Sequence, residues 1–537
     1  LAWNELQSSF SGYASLIETE LGSSICFFLR RQRRINENLF LSPWGIYVTG
    51  LSTCMENSFS RISQGPAHDP MTSSLFKAAR RILSTRRWLC LGLLLVTRLK
   101  AQQGVLDLTT LANYAAQPVP TYINVNKDNT SAGNAITNPG ATLGRVLFYD
   151  KRLSRNDTVS CSSCHQQSAA FGDTATASTG VNGTTGRHSM RLINARFATE
   201  SRFFWDERAA TLEAQTTQPI QDHVEMGFSG ANGDPAFAAL VTKLSAIEEY
   251  RVLFALMYGD AAITEARVQN ALAQFVRSIQ SFDSRYDLGR AQVAADNVNF
   301  PNFSASENTG KQLFLAPPNQ GGAGCAGCHR APEFDIDPNS RNNGVTTKIG
   351  GGTDLTNVRS PSLRDLEGPG GTLNGGMMHD GSFNSLLSVI NHYAAIPGEN
   401  TNLDNRLRRP GGNVQALNQT TQQRSDLVAF LRTLTGSAVY TDPKWSSPFN
   451  ASGELDLIII SSSAITFQSN GDGTATLTCK AAPGLNYQLQ SSPSPAATGT
   501  WTNVTSVTAD ANGLLLHTVS VSGGSSFFRF TYTPPAS

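Results

Sequence analysis

Apolar side chains recur along this chain with two different periods, and the change of period falls near residue 446. Upstream of it, Leu272, Phe275, Val276 and Ile279 stand at i, i+3, i+4 and i+7, and Leu427, Phe430, Leu431 and Leu434 repeat that spacing. A turn of 3.6 residues gathers each set on one face, so both segments are predicted to be amphipathic helices. Each is preceded by the same parts in the same order. Gly144-Arg145-Val146-Leu147-Phe148 and Cys161-Ser162-Ser163-Cys164-His165 come before the first, and Gly310-Lys311-Gln312-Leu313-Phe314 and Cys325-Ala326-Gly327-Cys328-His329 before the second. Such repetition predicts a duplicated unit: a helix, a Cys-x-x-Cys-His turn, a long loop-rich middle and a closing helix. The boundary is expected at 291 to 305, where residues 295 to 304 lack helical pattern. Downstream of 446, alternating runs such as Ala475 to Cys479, Tyr487 to Gln490 and Phe527 to Tyr532 lie between Gly, Asn, Pro and Ser, and read as short strands of a small sandwich.

A third pattern lies near the start. Met71 opens a basic stretch with Lys77, Arg80, Arg81, Arg86 and Arg87, followed by the apolar run Trp88 to Val96 and the small residue Ala101. That order is the pattern of a secretory signal, and its apolar run is too short to span a bilayer in the usual way. Cleavage near Ala101 is expected rather than a retained anchor, although Arg98 and Lys100 sit close to the cut. Residues 1 to 70 contain the basic cluster 30 to 34 but no sustained periodicity, and they are read as a doubtful N-terminal extension.

With 537 residues, several domains are expected. A hydrophobic fraction of 40% and a charged fraction of 15% fit a soluble globular protein. The formal charge of +1, with no basic stripe outside the N-terminal region, argues against a nucleic-acid partner.

The eight cysteines carry most of the chemistry. Four stand in the two Cys-x-x-Cys-His motifs; Cys26, Cys54, Cys90 and Cys479 are scattered and give no disulfide framework. Cys479 is expected to be a buried apolar thiol. In Cys-x-x-Cys-His, two thiols on one turn can add across the two vinyl groups of a haem and leave the adjacent imidazole beneath the iron. A zinc site would need complementary pairs of ligands, and a redox dithiol has no use for the histidine. Two covalently bound c-type haems are therefore expected, on Cys161, Cys164 and His165 and on Cys325, Cys328 and His329. Haem is attached outside the cytoplasm, which agrees with the signal and predicts a periplasmic or otherwise secreted protein.

Residues 140 to 440 resemble the dihaem cytochrome c peroxidase and MauG family. Phe204-Trp205-Asp206-Glu207-Arg208 is similar to that family's Phe-Trp-Asp-Gly-Arg segment, whose Trp lies between the haems. Gln215, Pro219 and Glu225 fall at the spacing of the family's Gln, Pro and Glu of the peroxide pocket. The resemblance implies that Glu225 carries the proton that must move when the O–O bond breaks, that Gln215 orients the bound oxygen, and that Trp205 relays electrons. By itself Glu225 would read as a solvated carboxylate at a helix end, and Trp205 as a core aromatic.

The distal ligands stay open. His188 and Met190, in Gly186-Arg187-His188-Ser189-Met190, are the candidates nearest the first haem. His188 also aligns with the family's Asn of an inter-haem calcium site, which puts the calcium in doubt and leaves the first haem five-coordinate. At the second haem, the family segment matching Met378-His379-Asp380-Gly381-Ser382-Phe383 leads, fourteen residues after its His, to an axial Met in the peroxidases and an axial Tyr in MauG. Here that position is Tyr393, with Met377, Met378 and His392 as rivals and a packed aromatic as the alternative. The Gly-rich stretch 364 to 376 suggests a rebuilt loop before His379.

The expected fold is mainly α: two cytochrome c-like haem domains, 104–290 peroxidatic and 291–445 for electron transfer, then an all-β module over 454–537. That module resembles the Ig-like sandwiches appended to secreted bacterial enzymes, through Asn486-Tyr487-Gln488-Leu489-Gln490 and Thr500-Trp501-Thr502-Asn503, and reads as a spacer or attachment unit. The implied activity is reduction of hydrogen peroxide to water with electrons from a small cytochrome c or cupredoxin. A MauG-like oxidation of a protein partner and a non-catalytic dihaem carrier are the alternatives, and a homodimer stays open.

Overall fold

The computed structural model describes residues 104–200, 202–336, 338–496, 499–521 and 526–536. The expected signal at 71–101, the extension at 1–70, and Cys26, Cys54 and Cys90 lie outside the described residues. Among the described residues the first element is a short strand, β1 (Val105–Asp107), followed by α1 (Asn138–Tyr149) and the first motif turn α2 (Cys161–Cys164). Then come α3 (Leu212–Thr216), α4 (Phe237–Ser245), α5 (Glu248–Tyr258), α6 (Glu265–Ser278) and α7 (Arg285–Arg290). No helix covers 291–304, as the sequence suggests. Beyond lie α8 (Ala305–Leu315), the second motif in a 3-10 turn (Cys325–Gly327), α9 (Leu386–Ala394) and α10 (Thr421–Arg432).

The duplicated parts pack in the same way. Helix α1 crosses α6, and α8 crosses α10. At each crossing the glycine of the repeated Gly-x-x-Leu-Phe segment lies against the partner helix. A Cβ on Gly144 would stand 2.0 Å from the carbonyl oxygen of Ala271, and one on Gly310 would stand 1.9 Å from that of Asp426. Only glycine permits backbones this close. The next turn then buries Leu147 and Phe148, or Leu313 and Phe314, against the closing helix. Of the four apolar positions in each closing helix, Ile279 and Leu434 lie just past the helix end, yet all eight are buried.

The middle of the first unit is less loop-rich than expected, since α4 and α5 occupy it. Leu240, Leu244, Tyr250, Leu253 and Phe254 are their buried faces, and the short connection Ala246–Ile247 breaks the periodicity that would have marked one long helix.

Two three-stranded antiparallel sheets follow. One orders β3 (Thr466–Ser469), β4 (Thr474–Lys480) and β7 (Leu514–Ser520) with β4 central; the other orders β5 (Asn486–Ser492), β6 (Thr502–Thr508) and β8 (Phe527–Thr531) with β5 central. Alternate residues, Ala475, Leu477 and Cys479 on one sheet and Tyr487 and Leu489 on the other, point into a shared core. Between helices and sheets, β2 (Asp456–Ile458) pairs in parallel with β1. Val439, Trp445, Phe449 and Leu455 join the sheets' core to that of α1 and α6 in one buried cluster. No helix among the described residues is long and apolar enough to cross a membrane.

Candidate functional site

The first motif turn is nucleated by a capping box, in which Ser160 and Ser163 satisfy each other's backbone N–H groups. The turn delivers Cys161, Cys164 and His165 to one cavity, with about 670 Å³ of atom-free space. His165 Nδ1 lies 3.1 Å from the carbonyl oxygen of Phe171, which fixes the ring. Burial lowers its pKa, so the imidazole is held neutral.

Gln215, Pro219 and Glu225 line this same cavity. Helix α3, capped by the Thr211 hydroxyl, presents Gln215. Glu225 follows an Asp222 turn whose carboxylate accepts the N–H groups of Val224 and Glu225 at 2.8 and 3.0 Å. Gly180 lies against that turn, where a Cβ would meet the Val224 carbonyl oxygen at 2.1 Å. Burial, reinforced by the Asp222 charge and opposed by Arg208, pushes the Glu225 carboxyl up to about 7. A carboxyl poised there can take or give a proton near neutrality.

The second motif opens into a larger cavity of about 1470 Å³, partly open to solvent, that contains Cys325, Cys328 and His329. Phe314, Leu366, Leu386, Ile390, Leu427 and Leu431 make its apolar walls. His329 Nδ1 is buried with no hydrogen-bond partner, and burial with the Arg406 charge lowers the imidazole pKa to about 4. Tyr393, on α9, lines this cavity, as do Met377 and Met378. Burial raises the Tyr393 phenol strongly, and its hydroxyl accepts from Asn343 Nδ2 at 3.4 Å. His392 is not among the lining residues; its Nε2 lies 2.9 Å from the Asn343 carbonyl oxygen and its ring packs between Phe383 and Tyr393.

Between the cavities runs the segment His188-Ser189-Met190. Ser189 lines both, whereas His188 and Met190 line only the second. His188 is buried, its Nδ1 3.1 Å from the Thr176 carbonyl oxygen, and its backbone N–H donates to His379. Trp205 lines the second cavity, donates from Nε1 to the His188 carbonyl oxygen at 2.7 Å, and meets the His379 ring edge-on at 6.3 Å. The loop holding it has two left-handed residues, Phe204 (φ +68°) and Glu207 (φ +58°). Glu207 thus stands where the family pattern has Gly, in a conformation that costs an L residue about 1–2 kcal/mol. Sequence reasoning left its carboxyl aside; buried, it accepts from Asn357 and Ser340 at 3.3 and 3.4 Å.

Neither motif fits a redox dithiol. Burial pushes the Cys161 and Cys325 thiols up to about 12 and Cys164 up to about 11, whereas a dithiol nucleophile is activated by a lowered pKa. An apolar cavity of macrocycle size, two thiols in no disulfide and a neutral imidazole fit a haem at each motif.

Comparison with known proteins agrees. The family model of the di-haem cytochrome c peroxidases matches residues 138–293. The chain is 32% identical over 317 residues to the methylamine utilization protein MauG of Methylophilus methylotrophus, covering 57% of this chain and 85% of that protein. It belongs to the di-haem cytochrome c peroxidase and MauG family. Cytochrome c551 peroxidase of Nitrosomonas europaea, another member, is 26% identical, over 55% of this chain and 80% of its own length. A solved MauG-like protein associated with microbial copper homeostasis superposes with a TM-score of 0.50 at 29% identity, over 62% of this chain and 98% of that one. Membership of this family implies haem cofactors.

Proposed function

We propose that this chain is a dihaem c-type peroxidase that reduces hydrogen peroxide to water with electrons from a small donor protein, a cytochrome c or cupredoxin. The observation that carries the reading is the convergence of Gln215, Pro219 and Glu225 on the cavity that holds Cys161, Cys164 and His165. In this reading each cysteine pair would hold one haem through thioethers, and His165 and His329 would be the histidines that bind its iron. The bound haem supplies the iron at which the peroxide oxygen is reduced. Ionised Glu225 accepts the proton that peroxide loses and returns it to the leaving oxygen, while the Gln215 amide orients the substrate. The hydrogen bond from Trp205 to the His188 carbonyl, beside the shared residue Ser189, supports Trp205 as the relay between the sites.

The reading divides the described chain into a peroxidatic domain over 104–290, an electron-transfer domain over 291–445 and an Ig-like accessory module over 454–537, in a periplasmic or otherwise secreted protein. It assigns no role to calcium, because His188 offers an imidazole tied to Thr176 where the family has an amide oxygen.

Tyr393 favours a second reading. Its place in the cavity of His329, with the similarity to MauG, supports a MauG-like oxidation of a protein partner. A phenolate ligand favours ferric iron and lowers the haem potential. The test uses the matured holoprotein, oxidised and half-reduced, mixed with peroxide while its spectrum and the oxidation of a reduced small cytochrome c are followed. Rapid turnover that Glu225→Gln abolishes is expected. A long-lived oxidised species with little cytochrome oxidation would replace the first reading by the second.

A further inference from the structure

Glu225 and Pro219 line two cavities. Behind them is the cavity of His165; in front is a polar one completed by Arg208, Gln218, Gln221 and Asp222. The front cavity reaches solvent, where Arg208 and Asp222 are exposed, so Glu225 stands in the partition between solvent and the first site.

The walls of this vestibule are held rather than loose. Arg208 stacks 3.5 Å from the centre of the Phe204 ring, and its guanidinium donates to Asp206 at 2.8 Å and Gln218 at 3.3 Å. Gln221 donates to Glu265 at 2.7 Å, and Asp222 is fixed by the two backbone N–H groups that it accepts. A passage with two amides, one cation and one anion near its mouth suits a small neutral molecule that both donates and accepts hydrogen bonds. It offers little to an alkyl hydroperoxide, whose apolar group would find only Pro219 as an apolar contact, and no net charge from Arg208 and Asp222 to draw an anion.

We propose that this vestibule is the entrance by which hydrogen peroxide and protons reach the first site, with Arg208 and Asp222, which line it beside Glu225, as positioning residues. The proposal rests on the reading of Glu225 as the base. The reaction balances through this one opening: the O–O bond of peroxide breaks, two electrons arrive from the donor protein, two protons enter from solvent, and two waters leave. Glu225 exchanges a proton with peroxide on its inner side and with vestibule water on its outer side. The groups that face it are Asp222 and Arg208 from the vestibule and, from the haem side, His165 with Cys161 and Cys164, whose sulfurs no longer titrate once they are thioethers. Asp222 raises the Glu225 pKa and Arg208 lowers it, so their removal acts in opposite directions.

The experiment uses oxidised holoprotein and two probes, peroxide and cyanide. Cyanide enters as neutral HCN, loses a proton on binding, and is followed by the haem absorption band rather than by turnover. Gln218→Trp, which fills the vestibule, is expected to slow association of both probes at least tenfold while reduction of the protein by its donor stays unchanged. Gln221→Trp fills it from a second lining position and serves if the first variant does not fold. Asp222→Asn is expected to move the pH midpoint of cyanide association down, and Arg208→Gln to move it up. Association at the parent rate in both filled variants would overturn the entrance, and coincident midpoints would overturn the roles of Arg208 and Asp222. Glu225→Gln separates this from the reading beneath it: if the pH dependence survives that change, Glu225 is not the base, whatever the filled variants do.

Discussion

Replacing Gly310 by Ala tests whether the crossing of α8 and α10 organises the second haem unit. In an exposed helix this change would gain about 1 kcal/mol from propensity. Here the new Cβ would lie 1.9 Å from the Asp426 oxygen, 2.4 Å from its carbonyl carbon and 2.9 Å from the Phe430 Cβ, where real Cβ contacts essentially never fall below 3.0 Å. The helices must therefore part by more than 1 Å at their closest point. That shift loosens Phe430 against Phe314 and Phe334, whose ring centres lie 5.2 and 6.1 Å away. Overpacking of this kind costs about 1–3 kcal/mol, and separation of the aromatic cluster takes the net loss to about 2 kcal/mol after the propensity gain. For a unit of this size, a loss of that order lowers Tm by about 4–8 °C. Thermal unfolding of the holoprotein, followed by far-UV circular dichroism and by the haem band, measures it. The matching change at Gly144, where the Ala271 oxygen lies 2.0 Å away, should have a similar cost and disturb the first haem instead. An unchanged or raised Tm in Gly310→Ala would refute the reasoning, because propensity would then outweigh the contact.

Peroxide reactivity of the oxidised enzyme should rise with pH through about 7, because the Glu225 carboxyl, raised by burial, must be ionised to accept a proton; Glu225→Gln should lose about 10²–10⁴-fold in stopped-flow rate at every pH above that. Tyr393→Phe should alter the spectrum of the second haem and raise its midpoint potential in spectroelectrochemistry, whereas a merely packed aromatic would leave both unchanged. At the buried Arg364–Asp287 pair, with contacts of 2.8 and 2.9 Å, burial of the Asp287 carboxyl is outweighed by Arg364, so its pKa falls. The pair's contribution is therefore complete above the usual carboxylate range and disappears as acid reaches the lowered pKa; Asp287→Asn should cost about 3–5 kcal/mol in denaturant unfolding at neutral pH and flatten the acid limb.

Much of this was legible because it is local. The order Cys-x-x-Cys-His places two thiols and an imidazole on one turn wherever the chain runs, and the close spacing of Gln215, Pro219 and Glu225 lets one short helix and the turn after it present all three. Apolar spacing found α6 and α10, and alternation found β4, β5 and β8. The helices α4 and α5 were missed, since two short amphipathic segments joined by a tight turn shift phase and blur the period.

What the sequence by itself determined is the set of side chains that each Cys-x-x-Cys-His turn presents and the apolar faces of the helices that pack around it, both written in residues a few positions apart. Tertiary structure alone decided the matters that depend on distant segments meeting. It brought Tyr393 into the cavity of His329, kept His188 beside the second cavity rather than the first, and paired β1, ahead of all the described helices, with β2, which follows them. It also gave Glu225 its proton affinity, because a carboxyl's pKa is set by the water it loses and the charges it faces, and spacing along a chain encodes neither.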